Sequence, residues 1–391
     1  MTPSEESLNA NVETVGRRRF ISGVGQRVLL GGWTASLIAC TSKTLTEGTA
    51  TSSAAPASVP SESAGTGSAG SAATARSNVV NVASWPKGKT VVLLTVDGTS
   101  ESHVRAIREA KRIGAQAGWK MEVFDSQGDY GKLSNGMLNY VNQGVDGFAS
   151  VVVAPSLIGE GVAAANKAKI PIGGIFAGYE PTISFDVAAN EWVSTARIGT
   201  YVLERLGGVG PSAKGGVVLL NWPNVPALVI RGIVAKSMLS YAKGVTLLKE
   251  EVLKVPGQVA DAKSKTAALL QQYPKGQLSA IWAGWGEVGV AVSQAIREAG
   301  RQDDVFTVAI DGSQLEFNEI RSSGPLKATC ANDMEGIAAT CLDGLARIFQ
   351  GQKPVATTIW VDAPLITKTN VPPSGQYAKG TGITTYYTGN N

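Results

Sequence analysis

With 391 residues, 43 % of them hydrophobic and 17 % charged, the chain has the apolar bulk for a large core, and more than one domain is expected. Its formal net charge of +4 comes without a Lys/Arg stripe interleaved with aromatics, so nucleic-acid binding has no support. With a single histidine and three cysteines, neither pairing nor spacing suggests a metal site.

The N-terminal region holds Arg17-Arg18-Arg19-Phe20, then an apolar run of 12 residues from Val28 to Ala39, and closes on Leu37-Ile38-Ala39-Cys40. Arg17, Arg18 and Phe20 resemble the twin-arginine export signal. The closing four residues resemble a lipobox, in which the Cys40 sulfur takes lipid and the chain is cut just before it. The run falls short of the roughly 20 residues that span a bilayer core, which favours a cleaved leader over residues 1–39; a short uncleaved anchor is the alternative. Each buried CH₂ of a lipid on Cys40 adds about 0.8 kcal/mol of membrane affinity. Residues 40–85 are mostly Ser, Ala, Thr, Gly and Pro, too poor in apolar bulk to offset ordering, and read as a flexible linker. The expected location is outside the cytosol, lipid-anchored to the cell membrane.

From Lys89 the pattern changes to short apolar strands alternating with amphipathic helices, the pattern of a parallel α/β sheet. Residues 90–96 are continuously apolar and β-branched, as a strand covered on both faces must be. The next helix carries Val104, Ile107, Ala110, Ile113 and Ala117 at three- and four-residue steps and stops at Gly118. Strands follow at 121–124, 148–153, 170–172 and 185–187, with helices near 133–143 and 158–168. A second round has helices at 192–206, 229–241, 260–272 and 288–299 and strands at 217–220, 246–252, 280–283 and 306–310. Another helix, a strand at 326–331, a long helix at 334–349 and a strand at 358–361 close the pattern. Two doubly wound parallel-sheet lobes are therefore expected, with ligand beyond the carboxyl ends of the strands, in the cleft between them. Cys330 at a strand end and Cys341 two turns into the next helix are expected to stay unpaired and buried.

Residues 89–118, Val152-Val153-Ala154-Pro155, Ile170-Pro171-Ile172, residues 281–300 and Val308-Ala309-Ile310-Asp311-Gly312 resemble the type I solute-binding proteins that feed ribose, galactose and xylose to ABC importers. The resemblance covers nearly all of residues 88–365. It implies two lobes joined by a three-strand hinge, crossing near Ala188, Ala331 and Val361, that closes over one ligand. It divides the chain into lobe 1 (86–188 plus 332–361) and lobe 2 (189–331 plus 362–391). Its ligand-binding Arg, Asp and amide fall on Arg231, Asp311 and Asn332, which suit a polyhydroxylated ligand. Arg231 could instead cap a helix or pair with a surface carboxylate, and Asp311 could simply make a turn.

Other positions depart from that sugar pattern. Phe176-Ala177 replaces an Asp-Arg pair, Ser102 and His103 replace two stacking aromatics, and Trp285 stands where an Asn is expected. These changes make ordinary aldopentoses doubtful and permit a deoxy sugar, a short or cyclic polyol, or an aromatic metabolite. Trp192, Trp222 and Trp285 lie just beyond strand ends, where an indole can stack on ligand or fill a lid. Asp97 and Ser100 can accept hydroxyls or cap the following helix, and His103 can equally be a capping or surface residue. Phe176 and Asn190 complete the expected ligand-binding set. No Gly-x-Ser-x-Gly elbow accompanies His103, so the expectation is a non-enzymatic, monomeric binding protein without cofactor or metal. Its partners are expected to be a carbohydrate or polyol, the membrane through its lipid, and an ABC permease; a ligand sensor coupled to a chemoreceptor or sensor kinase is the alternative.

Overall fold

A computed structural model describes residues 80–208, 212–380 and 382–384. The leader, including Arg17, Arg18, Phe20 and Cys40, lies outside the described residues. Among those described, no helix is long and apolar enough to cross a membrane.

The first lobe runs β1 (Thr90–Thr95), α1 (Glu101–Gln116), β2 (Lys120–Asp125), α2 (Tyr130–Asn142), β3 (Gly147–Val151), α3 (Gly159–Lys167), β4 (Ile172–Ile175) and β5 (Phe185–Ala189). The second runs α4 (Glu191–Arg205), β6 (Gly215–Asn221), α5 (Pro226–Tyr241), β7 (Val245–Val252), α6 (Gln258–Gln272), β8 (Leu278–Ala283), α7 (Gly286–Glu298), β9 (Phe306–Asp311), α8 (Gln314–Arg321) and β10 (Leu326–Ala331). The chain then returns to the first lobe through α9 (Met334–Phe349), which packs on α1, β4 and β5. It ends with β11 (Thr358–Val361), β12 (Leu365–Ile366) and β13 (Ile383–Thr384).

The sheet orders are β13-β11-β5-β4-β3-β1-β2 and β12-β10-β9-β8-β6-β7. All pairs are parallel except β10 with β12 and β11 with β13. Val91 to Leu94 of β1 are fully buried, each contributing about 1.5–3 kcal/mol of apolar burial. Such double-sided burial explains the unbroken apolar run of this strand.

Two boundaries differ from the sequence reading. The linker expected to reach residue 85 stops earlier, because Val82–Ser84 forms a 3₁₀ turn and Trp85 is buried, its ring centroid 5.0 Å from that of Trp119. The tail at 362–391, expected in the second lobe, is divided. β12 joins the second sheet, but β13 pairs with β11 in the first, satisfying backbone groups that an edge strand would leave open.

Cys330 and Cys341 are free and buried, one in β10 and the other in α9. Burial pushes the Cys330 thiol up to about 12 and raises that of Cys341 as well. Both behave as small hydrophobes.

Candidate ligand cleft

Strand carboxyl ends from both sheets open into a cavity of about 530 Å³. The lobes meet at its edges. A methyl group on Gly178, beyond β4, would come within 2.7 Å of the Pro226 ring at the start of α5, and its φ of +78° also favours glycine. Elsewhere the Glu101 carboxylate accepts the Gln314 N–H at 3.0 Å and the Tyr377 hydroxyl at 2.8 Å.

The first lobe supplies the loop after β1. Asp97 Oδ1 accepts from Thr99 N at 2.9 Å, Thr99 Oγ1 at 2.6 Å and Ser100 N at 3.3 Å. Burial raises this carboxyl, yet these donors outweigh it and hold the group below its ordinary range. His103 Nδ1 lies 3.1 Å from Thr95 Oγ1, and burial lowers its pKa against the pull of Asp97, Glu287 and Asp125. Val152 and Phe176 line the cleft just beyond β3 and β4 with φ of 57° and 56°. A β-branched and an aromatic residue in the left-handed region mark stored strain of the kind that clusters at binding sites.

The second lobe is organised around Asp311 at the end of β9. Its Oδ2 accepts Gly286 N at 3.1 Å, and its Oδ1 accepts Asn332 Nδ2 at 3.2 Å and both terminal nitrogens of Arg231 at 3.4 Å. Arg231 is buried and spends most of its fork elsewhere. It donates to both oxygens of Glu191 at 2.7 and 2.8 Å and to the Gly284 carbonyl at 2.9 Å. The guanidinium is therefore a brace that positions Asp311, and only the donors facing Asp311 are left for sharing with a ligand. Asn332 lines the cleft, and its Oδ1 is buried with no hydrogen-bond partner among the described residues.

Behind Asp311 lies Glu316, fully buried. It accepts from Ser313 N at 2.7 Å and Thr329 Oγ1 at 2.5 Å. Burial lifts both carboxyls above their ordinary range, Arg231 pulls Asp311 back, and the charge of Asp311 lifts Glu316 further. A raised carboxyl favours the folded state below its unfolded value and loses that contribution as pH rises through the folded value. Glu316→Gln, which preserves the capping box with Ser313, is therefore expected to stabilise the fold at pH 8 by about 1–3 kcal/mol. The gain should shrink as pH falls toward the ordinary glutamate range near about 4.3, as thermal melts of both proteins across pH will read.

Asp97, Ser100, His103, Phe176, Trp222, Arg231, Trp285, Asp311 and Asn332 all line this cavity. Asn190 does not: its Oδ1 accepts Val193 N at 3.2 Å and caps α4. Trp192 is half exposed in the first turn of α4, away from the cavity wall. Asp125, Tyr130, Gln258 and Glu287 line it without having been singled out from sequence. Each sits at or just beyond the carboxyl end of β2, β7 or β8, so the strand-end rule applied to those strands would have found them.

Comparison with known proteins settles the family. The periplasmic binding protein domain matches residues 91–353, more than half of the chain. The chain belongs to the periplasmic binding protein family. This binding protein is 27 % identical over 236 residues to a xylitol-binding protein of Mycolicibacterium smegmatis, a match spanning 59 % of this chain and 64 % of that relative. Its fold is that of an ABC sugar transporter subunit from Rhodobacter sphaeroides (TM-score 0.67, 23 % identity, 73 % of this chain and 99 % of that one). An Agrobacterium vitis solute-binding protein with bound allitol (TM-score 0.67, 22 % identity, 73 % and 97 %) shares it. So does an ABC transporter solute-binding protein from Mycobacterium smegmatis with bound glycerol (TM-score 0.68, 18 % identity, 75 % and 100 %).

Proposed function

We propose that this binding protein captures a polyol or sugar in the interlobe cleft and delivers it, chemically unchanged, to an ABC permease. The observation that carries the reading is the Asp311 centre. A carboxylate held at a strand end by Gly286, Asn332 and Arg231 presents oriented lone pairs to vicinal hydroxyls, with the indoles of Trp222 and Trp285 available to cover a carbon face. Relatives that bind xylitol, allitol and glycerol support the polyol half of this reading. Phe176 in place of a charged pair favours a ligand with fewer hydroxyls than a hexose. The site also suits work without catalysis, as a monomer, with binding energy spent on holding the lobes closed. The leader motif with Arg17, Arg18 and Phe20, and the lipidation motif at Cys40, suit a protein exported and tethered to the outer face of the cell membrane.

A thermal-shift series with three- to six-carbon polyols and the matching sugars tests this. A ligand at a hundred times its dissociation constant should add about 2.7 kcal/mol of stability, read as a rise in melting temperature. No shift with any compound, or consumption of the compound during incubation, overturns the reading.

A further inference from the structure

The turn that follows β4 is held by a side chain of the neighbouring strand. Asp186, the second residue of β5, is 2 % exposed; its Oδ1 accepts Ala177 N at 3.0 Å and its Oδ2 accepts Gly178 N at 3.2 Å. Phe176 N donates to the Val187 carbonyl at 2.9 Å, so three successive N–H groups of the turn are tied to two successive residues of β5. The sheet leaves room for this carboxylate, because β4 sets Gly174 opposite Asp186 and a methyl group on Gly174 would overlap Asp186 Oδ1. The turn so held faces the cleft with one residue and the second lobe with another. Phe176 lines the cavity in a left-handed conformation, which an aromatic residue keeps only where its surroundings over-determine it. Gly178 lies against Pro226 at the start of α5, with no room for a methyl group between them. Asp186 itself does not line the cavity. No cation among the described residues offsets its charge, and its titratable neighbour is the Cys341 thiol of α9, which burial keeps protonated. Burial lifts the Asp186 carboxyl to about 6 against the pull of its backbone donors, so at neutral pH it is ionised at some cost to the fold. An apolar side chain would spare the fold that desolvation, but it could not hold the two N–H groups of the turn.

We propose that Asp186 is a positioning residue of the binding site: by fixing Ala177 N and Gly178 N it keeps Phe176 on the cleft wall and Gly178 against Pro226, and so sets how closely the first lobe approaches the carbon skeleton of a bound polyol. This rests on the polyol reading above and adds to it a residue outside the cavity. The carboxylate suits the task because it has one oxygen for each donor. An amide of the same size has a single oxygen for the two donors and turns its own N–H groups toward the other, so Asp186→Asn loosens the turn without opening a void. The turn then gains freedom, and closing on a ligand must order it again.

Amide hydrogen exchange, with titration calorimetry against xylitol, allitol and glycerol, tests this. In Asp186→Asn the amides of Ala177 and Gly178 are expected to exchange about tenfold or more faster while the rest of the first sheet is unchanged. Affinity for whichever of the three polyols binds most tightly should fall about tenfold, the equivalent of one hydrogen bond to a charged group. In a Phe176→Ala background the same substitution should change affinity by less than about twofold, because the ring it positions is gone. A role confined to stability would lower the melting temperature and leave the affinity of the folded protein as it was. Asp186→Ser, smaller and neutral, is carried through the same cycle should Asp186→Asn not melt cooperatively. Unaltered exchange at the two amides, unaltered affinity, or an equal loss of affinity in both backgrounds overturns the assignment to Asp186. A wild-type protein that binds none of the three polyols overturns the polyol reading instead, and the exchange rates then decide by themselves for or against the hold of Asp186 on the turn.

Discussion

Asp311→Ala is expected to abolish the ligand-dependent rise in melting temperature while the unliganded protein stays folded. Four donors converge on this carboxylate: Gly286 N, Asn332 Nδ2 and the two terminal nitrogens of Arg231. They fix its plane, so a ligand pays little to find it ordered. A hydrogen bond to a charged group is worth about 1.5–3 kcal/mol, and losing a carboxylate that grips two hydroxyls should weaken binding by about a hundredfold or more. The fold tolerates the change for two reasons. Arg231 keeps its bidentate partner Glu191, and removing Asp311 relieves the charge that lifts Glu316. Calorimetry with the best ligand from the polyol series checks the affinity, and a melt without ligand checks the fold. An unaltered ligand response would make Asp311 no more than an anchor for the start of α7.

What was legible along the chain follows from what single-sequence patterns can carry. β10 and α9 are found at residues 326–331 and 334–349, as the sequence suggests, because a continuous apolar run and a long amphipathic repeat are strong local signals. Strand ends then point to the cleft, which is why nine of the expected ligand residues line it. Asn190 lies off the cavity wall because an Asn between strand and helix is equally suited to capping, and here its Oδ1 accepts Val193 N. β13 was not legible because two residues have no period, and its partner β11 is distant in sequence. The role of Arg231 was hidden for a similar reason. Its main partner Glu191 lies 40 positions earlier, on another helix, and no local pattern links them.

Arg231→Met should destabilise the unliganded protein by about 3–5 kcal/mol, the usual cost of leaving one member of a buried ion pair without its partner. Glu191 is 2 % exposed, and its carboxylate receives two hydrogen bonds from Arg231 at 2.7 and 2.8 Å. Methionine fills much of the volume but returns neither the charge nor the donors, so the carboxylate must either stay ionised in a dry site or take up a proton. The loss should therefore be largest at pH 8 and smaller toward pH 5, since an unpartnered buried carboxyl has a raised folded-state pKa and is accommodated more easily when neutral. The double variant Arg231→Met with Glu191→Gln separates this account from a packing defect. Removing both charges together should recover much of the stability at pH 8, because desolvating the pair had offset much of its attraction. If the double variant is as unstable as Arg231→Met alone, and neither shows pH dependence, the damage lies in the packing of α5 against α4 rather than in the orphaned charge. Ligand affinity gives the second readout. Without the brace Asp311 loses its fixed orientation, so on the proposed reading the double variant should fold yet bind a polyol more weakly, the result expected if Arg231 positions Asp311 for the ligand.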